Sequence, residues 1–223
     1  ENDFIHHPRG MIYRDALQTM KKYNLSSGRI LEIGCSAGHF LKFMQQNGYE
    51  SWGVEPGRDS LIAGEIDGVH VERSFIEDFK TDKKFQGIFL FDVLEHIPNP
   101  YIALRIAYKH LDNKGIIYAV VPNFNLQQIR VLFARVGLRP FQIVLSAGNH
   151  INHFSPKNLE RFFFQQPFHC VAVKNGPIDL QYIRGLPFWW KPFKKCYWQI
   201  ANFGEKLLGI RLAGSIAAVC FKA

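Results

Sequence analysis

The sequence predicts an α/β fold with a mostly parallel β-sheet, because strand-like and helix-like segments alternate along the first two thirds of the chain. Several strand-like runs are almost wholly apolar, which is typical of strands covered by helices on both faces. At 223 residues, with 47% hydrophobic and 21% charged residues, the chain is long enough for one substantial globular domain. No uninterrupted apolar run reaches the ~20 residues of a membrane-spanning helix.

The elements of the first two thirds follow in a regular order. The first strand is RILEIG, and the helix HFLKFMQQNG follows it and ends at Gly48. The second strand is SWGVEP, a helix is expected around residues 58–63, and the third strand is VHVER. The fourth, central strand is FQGIFLFDVL, and a helix, PYIALRIAYKHLDNKG, begins at Pro100. The fifth strand is GIIYAVVPN, which Pro122 terminates.

The last third is organised differently. A helix with the sequence FSPKNLERFFFQQ is expected to start at Ser155 and Pro156. Two further strands are FHCVAVKNG and SIAAVCFK. Residues 178–212 separate them, which is too long for a plain hairpin, so this segment must carry one or two helices, including YWQIANFGEKLLG.

The cysteines and histidines show no metal-ligand spacing along the chain. The four cysteines (Cys35, Cys170, Cys196 and Cys220) are widely scattered and form no CxxC pair. We therefore expect reduced thiols, a cytoplasmic protein and no catalytic metal.

The stretch LEIGCSAGHF contains a turn of small residues, and the ligand that such a turn could bind is the central question of the sequence. Small residues between a strand and a helix let backbone N–H groups approach a ligand closely. The third glycine of a dinucleotide-binding G-x-G-x-x-G loop and the G-K-[ST] of a phosphate loop are both absent. Glu32, two residues before Gly34, favours a cationic ligand over a pyrophosphate. Glu55, at the end of the second strand, can accept hydrogen bonds from both hydroxyls of a ribose. A nucleoside with a positively charged tail fits both carboxylates.

Four segments in this order resemble the class I S-adenosylmethionine-dependent methyltransferases, in the subgroup that includes ubiquinone-biosynthesis and cell-surface polysaccharide methyltransferases. The segments are LEIGCSAG, VEP, FDVLEHIPNP and NHINHFSPKNLERFF. The resemblance covers about residues 29–175 and the last strand. It implies a Rossmann-like, doubly wound sheet of seven mostly parallel strands with an antiparallel final strand. Because no linker divides the chain, we expect one domain over residues 1–223, with residues 178–212 as a helical cap before the last strand.

The resemblance also implies the cofactor, S-adenosylmethionine, with S-adenosylhomocysteine as its product. The cofactor-binding residues that it implies are Glu32, Gly34, Cys35, Ser36 and Gly38 on the methionine side, Glu55 at the ribose, Pro56 beside the adenine, Phe75 and Ile76 through their backbone, and Phe91 and Asp92 at the end of the fourth strand. The sequence departs from the family pattern at Ser36, which replaces a glycine, and at Gln86, which replaces an aspartate.

Histidines are the candidates for a catalytic base. Transfer of a methyl group from a sulfonium depends mainly on positioning, but an alcohol or phenol acceptor must also lose a proton, and histidine accepts one near neutral pH. The resemblance places His96, His150 and His153 around the mouth of the active site; capping of a loop or helix start is the competing role for each. We expect methyl transfer to an oxygen of a small molecule, a glycan or a lipid-linked intermediate. The alternatives are N- or C-methylation, and a catalytically inactive cofactor-binding protein.

Basic and aromatic residues are concentrated near the end of the chain. Between Arg184 and Arg211 lie six basic residues and one acidic residue, out of a net charge of +8 for the whole chain. Three interpretations are open: a lid over the acceptor, an interfacial anchor on anionic lipid, or ordinary helix packing with a solvated basic edge. Residues 184–211 are thus a candidate for peripheral membrane contact. Nucleic acid is not expected as a partner, because no RNA- or DNA-binding module is recognisable.

Overall fold

A computed structural model describes residues 7–135, 150–178 and 190–222. Its strands are β1 (Gly28–Ile33), β2 (Tyr49–Val54), β3 (Val69–Glu72), β4 (Phe85–Phe91), β5 (Leu111–Pro122), β6 (Phe168–Asn175) and β7 (Ser215–Lys222). They form one seven-stranded sheet in the order β3-β2-β1-β4-β5-β7-β6. Strands β1 to β5 pair in parallel, whereas β7 is antiparallel to both β5 and β6. The predicted α/β sheet, its mostly parallel pairing and its antiparallel last strand are confirmed.

Seven helices accompany the sheet in the part of the chain that the structure describes. They are α1 (Gly10–Lys22), α2 (His39–Gln46), α3 (Asp59–Gly64), α4 (Pro100–His110), α5 (Phe124–Arg135), α6 (Pro156–Phe163) and α7 (Trp190–Leu208). A 3₁₀ turn spans Ile76–Asp78. The predicted start of α6 is confirmed, because the Ser155 side chain accepts a hydrogen bond from the Asn158 N–H at 3.2 Å.

Two hydrophobic clusters cover the two faces of the sheet. Neighbouring residues of a strand point to opposite faces, so Leu31 belongs to one cluster and Ile30 to the other. The first cluster includes residues of α4 and α6, and the second includes residues of α1 and α2. Burial on both faces explains why the central strands read as continuous apolar runs.

Several local expectations need correction. Helix α4 ends at His110 rather than near Gly115, because Leu111 already pairs with Phe85 of β4. Cys220 is disulfide-bonded, contrary to the expectation of reduced thiols, whereas Cys35 and Cys196 are free. Gln86 lies at the edge of the sheet opposite the glycine turn, where its amide donates to Asp112 at 3.1 Å.

Helix α7 lies in the segment predicted to be a helical cap, residues 178–212, of which 179–189 are outside the described residues. The helix is longer than the sequence indicated. No helix in the described ranges is both long enough and apolar enough to cross a membrane.

The topology brings several chain segments to one edge of the sheet. Parallel strands β1, β2 and β4 all end there, so the loops that follow them are neighbours. Because β7 is antiparallel, its first residue, Ser215, pairs with Pro122 at the end of β5. The chain between α7 and β7 therefore reaches the same edge.

Candidate active site

Three residues of the turn after β1 have backbone φ angles in the left-handed region. Gly34, Ser36 and Gly38 have φ values of 76°, 45° and 73°. The Gly34 N–H donates to the Val54 carbonyl at 2.8 Å, which ties the turn to the end of β2. A Cβ added at Gly34 would lie 2.4 Å from a methyl of Val93, so a larger residue does not fit. The two glycines thus make a tight turn at the end of a buried strand.

Glu32 presents a buried carboxylate beneath this turn. Burial raises the pKa of Glu32 well above its ordinary value; nearby Arg9 lowers it and Glu55 raises it further. Its Oε2 has no hydrogen-bond partner among the described residues. An unpartnered buried carboxylate oxygen is suited to a cationic group, so the residues present fit a cofactor that carries an ammonium and a sulfonium.

Glu55 organises the other side of the turn. Its carboxylate accepts hydrogen bonds from the Ser36 N–H at 3.0 Å and from the Gly57 N–H at 2.7 Å. The Ser36 hydroxyl donates to Asp59 at 2.9 Å. This contact accounts for the serine that replaces a glycine of the family pattern, because the hydroxyl is engaged by Asp59.

Arg9 is a site residue that the sequence did not reveal. Its guanidinium forms an ion pair with Asp92, which follows β4 in the left-handed region at a φ of 54°. Arg9 also lowers the pKa of both Glu32 and Glu95. The Arg9 guanidinium therefore forms an ion pair with one acidic residue and interacts favourably with two others, Glu32 and Glu95. In the sequence, Arg9 is simply the one arginine or lysine among the first nine residues, and this position gives no sign of an ion pair with Asp92.

The three predicted histidines lie close together. The rings of His96 and His150 are 4.9 Å apart in an edge-to-face arrangement, and His153 stacks on Phe124 at 4.8 Å. Burial lowers the pKa of His150, and the neighbouring His96 and His153 lower it further. His96 and His153 are exposed, so this group opens to solvent.

Glu95 lies next to these histidines and is buried. Burial, and then the Asp92 carboxylate, raise the pKa of Glu95 to about 8. Neither carboxylate oxygen has a hydrogen-bond partner within the described ranges. Its main-chain carbonyl accepts from the N–H groups of Ile151 and Asn152 at 2.8 and 3.0 Å, which joins the segment after β4 to the segment before α6.

Glu95, His96 and His150 can also hold a metal ion, because one ligand atom from each lies within 4.8 Å of the others. The prediction of no catalytic metal rested on spacing along the chain. That criterion does not detect this group, because His150 is far from Glu95 and His96 in the sequence.

The other predicted cofactor residues differ in exposure. Pro56 and Phe75 are exposed at the site edge, whereas the side chains of Ile76 and Phe91 are buried in the core. Cys35 is buried too, and burial raises the pKa of its thiol. Of these five residues, the three buried ones have side chains that belong mainly to the core.

Two open grooves adjoin this edge. One, of about 510 Å³, is lined by residues that include Tyr101, His153 and Arg161. The other, of about 400 Å³, combines apolar Ile129, Ile210 and Leu212 with basic Lys157 and Arg211 and acidic Glu160. The second groove therefore offers both apolar and charged contacts.

A parallel sheet with an antiparallel seventh strand, a carboxylate before a glycine turn and a second carboxylate at the next strand end are features of class I methyltransferases. Comparison with known sequences agrees: a family model described as a methyltransferase domain matches residues 5–173. The chain belongs to this family. It is a class I S-adenosylmethionine-dependent methyltransferase.

Individual relatives are more distant. The ubiquinone biosynthesis O-methyltransferase of Psychrobacter cryohalolentis is 23% identical over 209 residues, which cover 87% of this chain and 74% of that protein. The enzyme of the same name from Pseudomonas fluorescens strain Pf0-1 is 25% identical over 138 residues, 58% of this chain and 59% of that one.

Solved structures share the fold. The plantazolicin methyltransferase BpumL, in complex with a triazolic desmethylPZN analog and S-adenosylhomocysteine, has a TM-score of 0.65 at 14% identity, covering 100% of this chain and 86% of that one. Magnesium protoporphyrin IX methyltransferase from Synechocystis PCC 6803, with bound S-adenosylhomocysteine, has a TM-score of 0.62 at 11% identity, covering 95% and 82%.

Proposed function

We propose that this methyltransferase methylates an oxygen atom, and that the histidine group of His96, His150 and His153 takes up the proton. The observation that carries the proposal is the position of these three histidines at the sheet edge that holds the glycine turn, where the rings of His96 and His150 are 4.9 Å apart and His153 stacks on Phe124 at 4.8 Å. A nitrogen acceptor that is already neutral needs no such base, so the group favours an alcohol or a phenol.

The cofactor supplies an electrophilic methyl group on a sulfonium when it is bound. Glu32 offers its unpartnered buried oxygen to a cationic group of the cofactor. Glu55, already oriented by two backbone N–H groups, accepts from the ribose hydroxyls. The turn at Gly34–Gly38 permits close approach of the backbone.

His150 is the preferred base of the three. Its lowered pKa keeps the imidazole neutral at pH 7, and a neutral imidazole can accept a proton. His96 contacts His150 and is exposed, so it can pass the proton to solvent. His153 lines the larger groove and positions the acceptor there.

The acceptor is proposed to be a small molecule, a glycan or a lipid-linked intermediate that carries a hydroxyl group. Two observations support this range. Curated relatives are named O-methyltransferases of ubiquinone biosynthesis. The smaller groove combines apolar and basic side chains, which suits an amphipathic acceptor. Peripheral contact with a membrane through residues 184–211 belongs to the same proposal.

Radiolabelled cofactor tests the proposal. The protein is incubated with methyl-labelled S-adenosylmethionine and separate panels of phenols, glycans and lipid extracts, and the labelled atom is identified by mass spectrometry. Each of His96→Gln, His150→Gln and His153→Gln is compared with His169→Gln, an exposed histidine at the opposite edge of the sheet.

We expect label on oxygen and, for the variant that removes the base, a loss of roughly 10²–10⁴-fold in turnover with unchanged affinity for S-adenosylhomocysteine. His169→Gln should retain activity. Label on nitrogen or carbon, or losses below about threefold at all three positions, would contradict the assignment.

A further inference from the structure

Helix α7 carries an apolar stripe that faces solvent. Phe193, Ile200, Phe203 and Leu207 are between 54% and 67% exposed. With Cys196, also exposed, they recur every three or four residues and so share one side of the helix. Four large apolar side chains exposed in a row form a patch that a globular domain normally buries.

The opposite side of α7 packs on the domain. Ala201 is buried against the domain, and the Trp198 indole donates to the Gly176 carbonyl at 2.8 Å. The side chain of Asn175, in β6, donates to the Ala201 carbonyl at 3.0 Å. These contacts fix which side of the helix remains outside.

The apolar surface continues beyond the end of the helix. Leu208, Ile210 and Leu212 are also exposed. Ile210 and Leu212 line the smaller groove at the sheet edge. Exposed apolar side chains therefore continue along the chain from the stripe to the smaller groove.

The charges around the stripe are basic. Lys195 and Lys206 are exposed. Glu205 is the single acidic residue of α7, and its carboxylate accepts from Arg211 at 3.1 Å and from the Asn175 N–H at 2.8 Å. The acidic group is therefore compensated, and the outer side of the helix is complementary to an anionic surface.

We propose that α7 lies in the plane of an anionic membrane, with Phe193, Ile200, Phe203 and Leu207 in the lipid and Lys195 and Lys206 at the headgroups. This membrane face rests on the proposed function in one respect, since it would bring a lipid-linked acceptor to the catalytic edge. An apolar stripe flanked by lysines on a helix that does not span the bilayer is typical of interfacial binding.

A second copy of the chain fits the stripe less well. The stripe has the spacing of a coiled-coil seam, in which residues flanking the seam usually pair opposite charges. Here the residues directly beside the seam between Phe193 and Leu207 are Tyr197, Gln199, Gly204 and Lys206, and Lys195 lies one position further out. They supply positive charge and no negative charge.

Vesicle sedimentation tests the membrane face with the whole chain. Vesicles of phosphatidylglycerol and phosphatidylcholine are compared with vesicles of phosphatidylcholine alone, at low and high salt. Two double variants, Phe203→Ser with Leu207→Ser and Lys195→Glu with Lys206→Glu, remove the apolar and the basic component. Matched controls are Phe164→Ser and Lys114→Glu, both exposed and outside α7.

We expect the wild type to pellet with anionic vesicles and to be released by salt. Each lysine near an anionic surface contributes roughly fivefold in affinity, so the lysine variant should lose more than about 25-fold. The serine variant should lose at least about tenfold, and both controls should bind like the wild type.

Wild-type protein that stays in the supernatant overturns the proposal, as does equal loss in the control variants. So does light scattering that shows a dimer abolished by Phe203→Ser with Leu207→Ser. Binding of S-adenosylhomocysteine, measured by calorimetry on the same samples, shows that each variant is folded. Because sedimentation needs no turnover, failure of the methyl-transfer proposal would leave a positive vesicle result intact.

Discussion

Replacing Glu32 by Gln should affect stability and cofactor binding in opposite directions. Glu32 is 5% exposed, and burial raises its pKa above the ordinary value of 4.5. The folded state therefore holds the proton more tightly than the unfolded state. The stability that protonated Glu32 gives to the folded state is fully present below pH 4.5 and is lost as the pH rises through the folded-state pKa. Gln is neutral throughout, so Glu32→Gln should be more stable than the wild type above this window.

The magnitude follows from the carboxylate oxygen that lacks a partner. Ionising a buried carboxylate that has an unsatisfied oxygen costs about 1–3 kcal/mol or more; the Gln amide carries no charge, so the variant should avoid this cost at pH 8, whereas at pH 4 both side chains are neutral. The same oxygen is the proposed partner of a cationic group of the cofactor. The affinity for S-adenosylmethionine should therefore fall by about 1–3 kcal/mol, or roughly 5- to 150-fold.

Urea unfolding at the two pH values and calorimetric titration measure both effects. Titration in two buffers of different ionisation enthalpy adds a third readout, because a cation that binds beside Glu32 should release its proton in the wild type and not in the variant. Glu50→Gln is the control, since Glu50 is an exposed carboxylate paired with Arg29. A Gln variant that is less stable at pH 8 and binds the cofactor normally would refute the reasoning.

Three further predictions concern other parts of the site. Glu55→Ala removes the acceptor of the Ser36 and Gly57 N–H groups and should weaken cofactor binding by about 1–3 kcal/mol in calorimetry; unchanged affinity in a folded variant contradicts it. Because the pKa of His150 is lowered, the pH–rate profile for an oxygen acceptor should rise with a midpoint below 6.5, and a midpoint above 7 speaks against this base. Asn175→Ala leaves two buried backbone groups unpaired, so it should lower the free energy of unfolding in urea by about 2–4 kcal/mol, and a loss under 0.5 kcal/mol would be inconsistent.

Much of the fold could be predicted because its signals are local. Strands, the glycine turn and the start of α6 each depend on residues adjacent in sequence. Helix α1 was not predicted, although its buried residues Ile12, Ala16 and Met20 recur at helical spacing. Its N-cap, Arg9, makes no side-chain capping bond, so the usual start signal is missing.

The site could be predicted only in part, because several of its contacts are tertiary. Glu32 and Glu55 follow from their positions at strand ends. The pairing of Arg9 with Asp92 and the contact of His96 with His150 join segments far apart in the chain. No local pattern encodes them. The sequence likewise shows that α7 is amphipathic, but only the burial of its residues in the folded structure shows which side of the helix faces solvent.

The position of α7 follows from the antiparallel last strand. Because β7 starts beside the end of β5, the chain that leaves α7 must arrive at the catalytic edge. Buried Asn123, directly after β5, fixes this arrival by donating to the carbonyls of Arg211 and Ala213, both at 3.1 Å. A helix bound to a membrane through its outer stripe would therefore hold the catalytic edge close to the lipid surface. Such an arrangement favours acceptors whose hydroxyl lies at the headgroup level, since they need not leave the bilayer to meet the histidines.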